Sequence, residues 1–160
     1  MALPPNVVPV KGCQDIEKYT NLDTEFAWYG PYYHSVEICY EIRYIMSKYG
    51  PYKAKAYSTD DILEILPPKL HNDEYDFDYD FVIRRTRTGW LATYENPVWI
   101  AHNEEMLRDK GLSDKEIDLL EQWRTYIPHH FGSQTIREAI ASLFVAMVRG
   151  GKLDEYKRED

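Results

Sequence analysis

Tyr75-Asp76-Phe77-Asp78-Tyr79-Asp80-Phe81-Val82-Ile83-Arg84-Arg85 is the stretch whose reading decides the fold. Its period is two. Phe77, Tyr79, Phe81 and Ile83 fall on one side, and Asp76, Asp78 and Asp80 on the other. That alternation predicts an antiparallel strand with one packed and one solvated face. A one-residue slip would bury three carboxylates, each costing on the order of several kcal/mol, so the register is strongly specified. Thr86-Arg87-Thr88-Gly89 then supplies turn chemistry, and Trp90 to Tyr94 returns as the hairpin partner. Asn96-Pro97 breaks that strand, and Val98 to Ala101 is read as a short third one. The expectation is a small antiparallel meander over residues 75–101.

Helical signals flank it. Ser58-Thr59-Asp60-Asp61 caps a short helix from Asp60 to Leu66, which Pro67-Pro68 ends. Asn103 to Lys110 opens on a cap residue, carries Glu104 and Glu105 in its first turn, and stops at Gly111. Ser113-Asp114-Lys115-Glu116 is a capping box before a stripe of Ile117, Leu120, Trp123 and Ile127. Ser133 is read as the cap of a final helix whose apolar positions run from Ile136 through Ile140, Leu143 and Phe144 to Val148, with Gly150-Gly151 as its stop. Trp90, Trp123, Ile140 and Phe144 are the expected core.

Residues 32–49 carry two periods at once. Ile38, Ile42, Ile45 and Tyr49 make a helical stripe, whereas Val36, Ile38, Tyr40, Ile42, Tyr44 and Met46 alternate as a strand does. The length, with Pro31 at a first helical position and Gly50-Pro51 as a stop, favours helix, with strand as the alternative. In residues 13–30, Asp15 to Tyr19 is read as a short helical turn. Residues 1–12 read as an extended Pro-rich arm and residues 152–160 as a frayed polar tail. The whole predicts an α+β protein, the meander packed against flanking helices within a single domain over residues 1–160.

The chain has 160 residues, 44% of them hydrophobic and 29% charged, enough for one buried core and too apolar for a disordered class. No apolar run reaches the ~18 residues of a membrane span, so no membrane partner is expected. Met1-Ala2-Leu3-Pro4-Pro5 lacks the features of a secretory signal. Cys13 and Cys39 are too few for a disulfide framework, which points to a reducing, cytoplasmic compartment.

The net charge of −8 disfavours direct nucleic-acid binding, and its distribution is uneven. Residues 60–80 hold Asp60, Asp61, Glu64, Asp73, Glu74, Asp76, Asp78 and Asp80 against Lys69 alone, whereas the rest of the chain is nearly balanced. Part of this excess suits a helix N-terminus and a wet strand face. The remainder makes Asp73, Glu74, Asp76, Asp78 and Asp80 the candidate partner-binding residues, since concentrated like charge speeds encounter with a basic surface.

Other chemistries find little footing. Asp76-x-Asp78-x-Asp80 opens like a calcium loop, but Phe81 stands where the turn glycine belongs and Arg87 where the bidentate glutamate belongs. His129-His130 and His102 lack partners at metal-ligand spacing, so no metal or cofactor is expected. Neither Ser35 nor Ser133 lies in a nucleophile elbow, nothing in the sequence sets a base beside either cysteine, and no glycine-rich phosphate loop exists. The carboxylates and the 14 Tyr and 4 Trp suit a sugar or base platform in principle, but a core and strands need aromatics as well.

Ser58-Thr59-Asp60-Asp61-Ile62-Leu63 through Leu66-Pro67, a hairpin with Gly89-Trp90 and Tyr94, and a closing helix Ile136 to Val148 before Gly151-Lys152-Leu153 resemble small uncharacterised bacteriophage and prophage proteins. The resemblance spans residues 57–153, departs from that pattern between His102 and Phe131, and brings no catalytic residues. It implies a mobile-element protein of the bacterial cytoplasm or a virion. The function expected is that of a non-enzymatic inhibitor or immunity protein docking a protein with a basic surface. A structural subunit of a particle, whose Pro-rich arm docks on a neighbour, is one alternative. A small-ligand binder or enzyme with an aromatic pocket is the other.

Overall fold

In a computed structural model, the described residues are 6–34, 37–45, 50–72, 77–96, 108–111, 113–115, 133 and 135–159. The fold is α+β, with two three-stranded antiparallel sheets among these residues. The chain divides into two compact units, Met1–Leu66 with Gln134–Asp160, and Pro67–Ser133.

In the first unit, α1 (Val10–Tyr19) precedes β1 (Phe26–His34), β2 (Glu37–Tyr44), β3 (Tyr52–Lys55) and α2 (Thr59–Ile65), and α3 (Ile136–Arg149) closes it. The strand order is β2-β1-β3. Residues 37–44 are therefore strand, and the helix favoured over residues 32–49 is not formed. The physical reason is long-range. Ile38 and Ile42 satisfy both periods, and the arbiter is the pairing of Phe26-Ala27-Trp28-Tyr29 with Tyr44-Arg43-Ile42-Glu41. Pro31 starts no helix: it lies in a bulge of β1 where the register shifts between Tyr29 and Tyr32. Gly30 there has φ +140°, and a Cβ on it would lie 2.9 Å from Tyr40 Cδ1 and 3.0 Å from Cys39 O, so this corner admits only glycine.

The described residues near the two ends, 6–9 and 152–159, are packed. Val7 and Val8 are buried, Val7 bridges to Ser58, and Val8 N donates to Tyr57 O at 2.9 Å. The described part of the expected arm thus joins the core and turns into α1 at Val10. The helical turn expected at Asp15–Tyr19 is the second half of that helix, whose buried stripe, Cys13 and Ile16, is too short to stand out among polar neighbours. Residues 152–159 are not frayed. Leu153 is buried, Tyr156 meets Phe144 edge to face at 5.8 Å, and Lys157 bridges to Thr20. One buried apolar side chain, one aromatic contact and one backbone bridge outweigh the polarity that suggests a frayed tail.

α3 supplies much of the core, since Ile140, Phe144, Met147 and Val148 are almost wholly buried. Its cap is Thr135, whose hydroxyl accepts from Glu138 N at 3.2 Å. Ser133, the expected cap, instead exchanges backbone hydrogen bonds with Trp90. α1 reaches α3 closely because residue 12 is glycine: a Cβ there would come within 2.7 Å of Val8 Cγ1 and 3.4 Å of Ala141 Cβ. α2 is capped by Ser58, which accepts from Asp60 N at 3.2 Å, and carries Asp60 and Asp61 in its first turn.

In the second unit, β4 (Lys69–Asn72), β5 (Phe77–Arg85) and β6 (Trp90–Glu95) form the meander in the order β4-β5-β6. It begins six residues earlier than expected, because Lys69-Leu70-His71-Asn72 pairs with Asp80-Tyr79-Asp78-Phe77. Val98–Ala101, Trp123 and the helix expected over Ile117 to Ile127 lie outside the described residues, as do His102, His129 and His130. Tyr79 and Tyr94 are buried. Trp90, expected in the core, is half-buried, because its strand end faces the Thr86–Gly89 turn and the Arg85 guanidinium covers its ring at 6.0 Å.

Candidate functional site

Of the alternation expected over Tyr75–Arg85, β5 shows the part at Asp78, Tyr79 and Asp80. Tyr79 is buried at 1% exposure between Asp78 and Asp80, whose side chains are 61% and 38% exposed. Phe81 is half-buried and Ile83 exposed, so the packed face thins toward the hairpin turn. Asp73, Glu74 and Asp76 lie outside the described residues. The site as described is therefore Asp78 and Asp80, held on a strand that is paired on both sides.

Register dictates what meets them. Lys69 stands opposite Asp80 and His71 opposite Asp78 across β4, while Glu95 stands opposite Asp80 across β6. Directly opposed residues share a face, and like charges so placed repel. The sheet answers with a cation for each of the two acids. Lys69 Nζ lies 3.7 Å from Asp80 Oδ1, and Arg84 pairs with Glu95, so one face carries the ladder Lys69, Asp80, Glu95, Arg84. Glu95 is wholly buried, Arg84 holds its Oε2, and its Oε1 has no hydrogen-bond partner. His71 Nδ1 lies 2.8 Å from Asp78 Oδ1. Asp80 is thus tied into the sheet's own electrostatics, and Asp78 is the more outward of the two. Sequence reading singled out neither Glu95 nor Arg84, because only the hairpin register brings them together.

In the first unit a polar cleft of about 380 Å³ is lined by Glu17, Lys55, Tyr57 and Arg158 among others. The Glu17 carboxylate accepts from Tyr52 Oη at 2.5 Å and from Lys55 N at 2.9 Å, and Arg158 donates to the Glu17 carbonyl at 2.7 Å. Lys55 Nζ reaches Asp23 at 3.0 Å, and that ammonium holds the Asp23 carboxyl below its ordinary range. Tyr57 Oη donates to Leu22 O at 3.1 Å, and burial, followed by the Glu17 charge, pushes its phenol well up. The residues come from positions 17, 55, 57 and 158, and no local motif announces them.

No protein family, curated protein or solved structure matches this chain. The reading of the site rests on its own chemistry.

Nucleophilic chemistry has little to work with among the described residues. Cys13 is buried, donates to Val8 O at 3.2 Å and accepts from Tyr57 N at 3.5 Å; burial pushes its thiol up, away from the reactive thiolate. No group of three His, Cys, Asp or Glu side chains converges to hold a metal among the described residues. No described helix is long and apolar enough to cross a membrane.

Proposed function

We propose that the protein is a non-enzymatic binding protein that docks a basic protein surface through the aspartate-bearing strand β5 and the acidic residues leading into it. The observation that carries this reading is the anchoring of the charge. Tyr79 is buried between Asp78 and Asp80, so both carboxylates project from a fixed strand with Asp78 largely in solvent. Fixed charge loses little conformational entropy on docking and steers a complementary partner before contact. Asp73, Glu74 and Asp76 add three further carboxylates within five residues of Asp78.

The setting proposed is that of a phage or mobile-element protein, acting as an inhibitor or immunity protein by occlusion in the bacterial cytoplasm or as part of a virion. Occlusion asks for a stable scaffold and a complementary face, and no catalytic constellation. The experiment is affinity capture from a bacterial lysate on the wild-type chain and on Asp76→Asn/Asp78→Asn/Asp80→Asn. A basic protein retained by the first and lost by the second is the expected result; equal retention by both refutes the assignment of the face.

A small-ligand binder is the second reading, and the cleft around Glu17 and Tyr57 favours it, being within the ~300–1,000 Å³ range of small-molecule sites. Native mass spectrometry of the purified protein tests it, with a retained small molecule released by Tyr57→Phe as the supporting result and the bare chain mass as the opposing one.

A further inference from the structure

We propose that β2 is a dimerisation edge, along which two copies of this chain pair antiparallel about a two-fold axis through Ile42. β2 is terminal in the order β2-β1-β3, and β1 is its only strand partner among the described residues. Ile45 N donates to Glu25 O at 2.8 Å. Backbone direction alternates along an antiparallel strand, so Ile45, Arg43 and Glu41 turn their backbone groups toward β1, and Tyr44, Ile42 and Tyr40 turn theirs outward. Such an outward row is a template for one more strand.

Charge selects the occupant. With the axis at Ile42, Glu41 of each copy stands opposite Arg43 of the other, and Tyr40 opposite Tyr44. Ile42 meets its own counterpart at a hydrogen-bonded position. The Glu41–Arg43 positions are then non-hydrogen-bonded pairs, with Cα atoms only ~4.5 Å apart and side chains in reach. Moving the axis one residue either way sets Glu41 against Glu41 or Arg43 against Arg43, which like-charge repulsion disfavours. Of the axes at residues 41, 42 and 43, only the one at Ile42 sets opposite charges against each other. Within one copy Glu41 and Arg43 already pair at 2.9 Å, with side chains 40% and 44% exposed.

Sedimentation equilibrium of the full chain tests this, with circular dichroism confirming that each variant is folded. The wild type is expected to dimerise. Glu41→Arg, which sets like charges opposite each other twice, should weaken the dimer by about tenfold or more, and Glu41→Arg/Arg43→Glu should restore it. A second measurement does not depend on those variants folding well. In a Cys39→Ser background, Ile42→Cys should form an interchain disulfide on mild oxidation, because opposed hydrogen-bonded residues lie ~5.5 Å apart between Cα atoms, within bridging distance. A wild-type monomer at every concentration, a dimer indifferent to Glu41→Arg, or no disulfide at residue 42 overturns the proposal.

Discussion

Arg84 on β5 holds one carboxylate oxygen of Glu95 on β6, a side chain with no solvent exposure whose other oxygen has no donor. Arg84 itself is about one-third exposed, so its cost of desolvation is partial while that of Glu95 is complete. The pair and the Lys69–Asp80 contact let two acidic residues, Asp80 and Glu95, face each other across one ladder.

Arg84→Met should therefore destabilise the protein by on the order of 3 kcal/mol, because an unpaired carboxylate stays buried. Replacing both residues, as Arg84→Met/Glu95→Leu, should recover most of that loss. Urea denaturation of the three proteins measures it. A double variant no better than the single one would mean that the charge is not what the pair neutralises.

Phe144 is wholly buried in α3, against Tyr156 from the C-terminal segment. Phe144→Ala should cost ~3–5 kcal/mol through lost transfer energy and the cavity left behind, close to the whole stability of a small domain. The thermal midpoint should drop steeply; an unchanged midpoint would make α3 peripheral to the core.

The helix and the meander were legible in the sequence because their information is local. Ile136–Val148 has a broad apolar face and a glycine stop, and Phe77–Ile83 has a clean period of two. The first sheet is not legible as such, because Ile38 and Ile42 satisfy both periods and only the pairing of this segment with β1 decides between them. The packing of residues 7–8 and 153 is not legible for a related reason: Val8 and Leu153 gain their burial from residues far away in sequence, Val8 beside Tyr57 and Leu153 within the unit that α3 closes. At the candidate site Asp78 and Asp80 are legible, whereas their partners His71 and Lys69, and the Arg84–Glu95 pair beside them, depend on strand register.

Burial pushes the phenols of Tyr57 and Tyr94 well above their ordinary value. Their unfolded-state value is ~10, so the stability they contribute is intact below pH ~10 and is lost as pH rises from there toward their folded values. Each contributes a slope of about 1.4 kcal/mol per pH unit in that window. Tyr94→Phe loses the 2.6 Å hydrogen bond to Pro67 O, costing about 1 kcal/mol at neutral pH, but should flatten the alkaline fall. Denaturation at pH 8 and pH 11 checks both effects, and an equally steep fall in the variant would contradict them.

Cys13 is fully buried with its thiol pushed up by burial, whereas Cys39 is half-buried in β2. Iodoacetamide at pH 8 should modify Cys39 first and reach Cys13 only on unfolding. Peptide mapping of the alkylated protein reads the order, and equal labelling of both would mean the core around α1 opens readily.

The central claim is that the acidic face of β5 steers a basic partner. The direct measurement is the association rate of the captured partner with wild type and with Asp76→Asn/Asp78→Asn/Asp80→Asn, each at low and high salt. The account predicts slower association for the triple variant at low salt and a wild-type rate that falls as salt rises, since the screening length shrinks from ~10 Å at 0.1 M to ~3 Å at 1 M. Folding should be little affected, because Asp78 is largely solvated and the Lys69–Asp80 contact, at 3.7 Å between solvent-accessible side chains, contributes little. A triple variant that associates at the wild-type rate at both salt concentrations would contradict the claim, leaving β5 a solvated strand and the partner's contacts elsewhere.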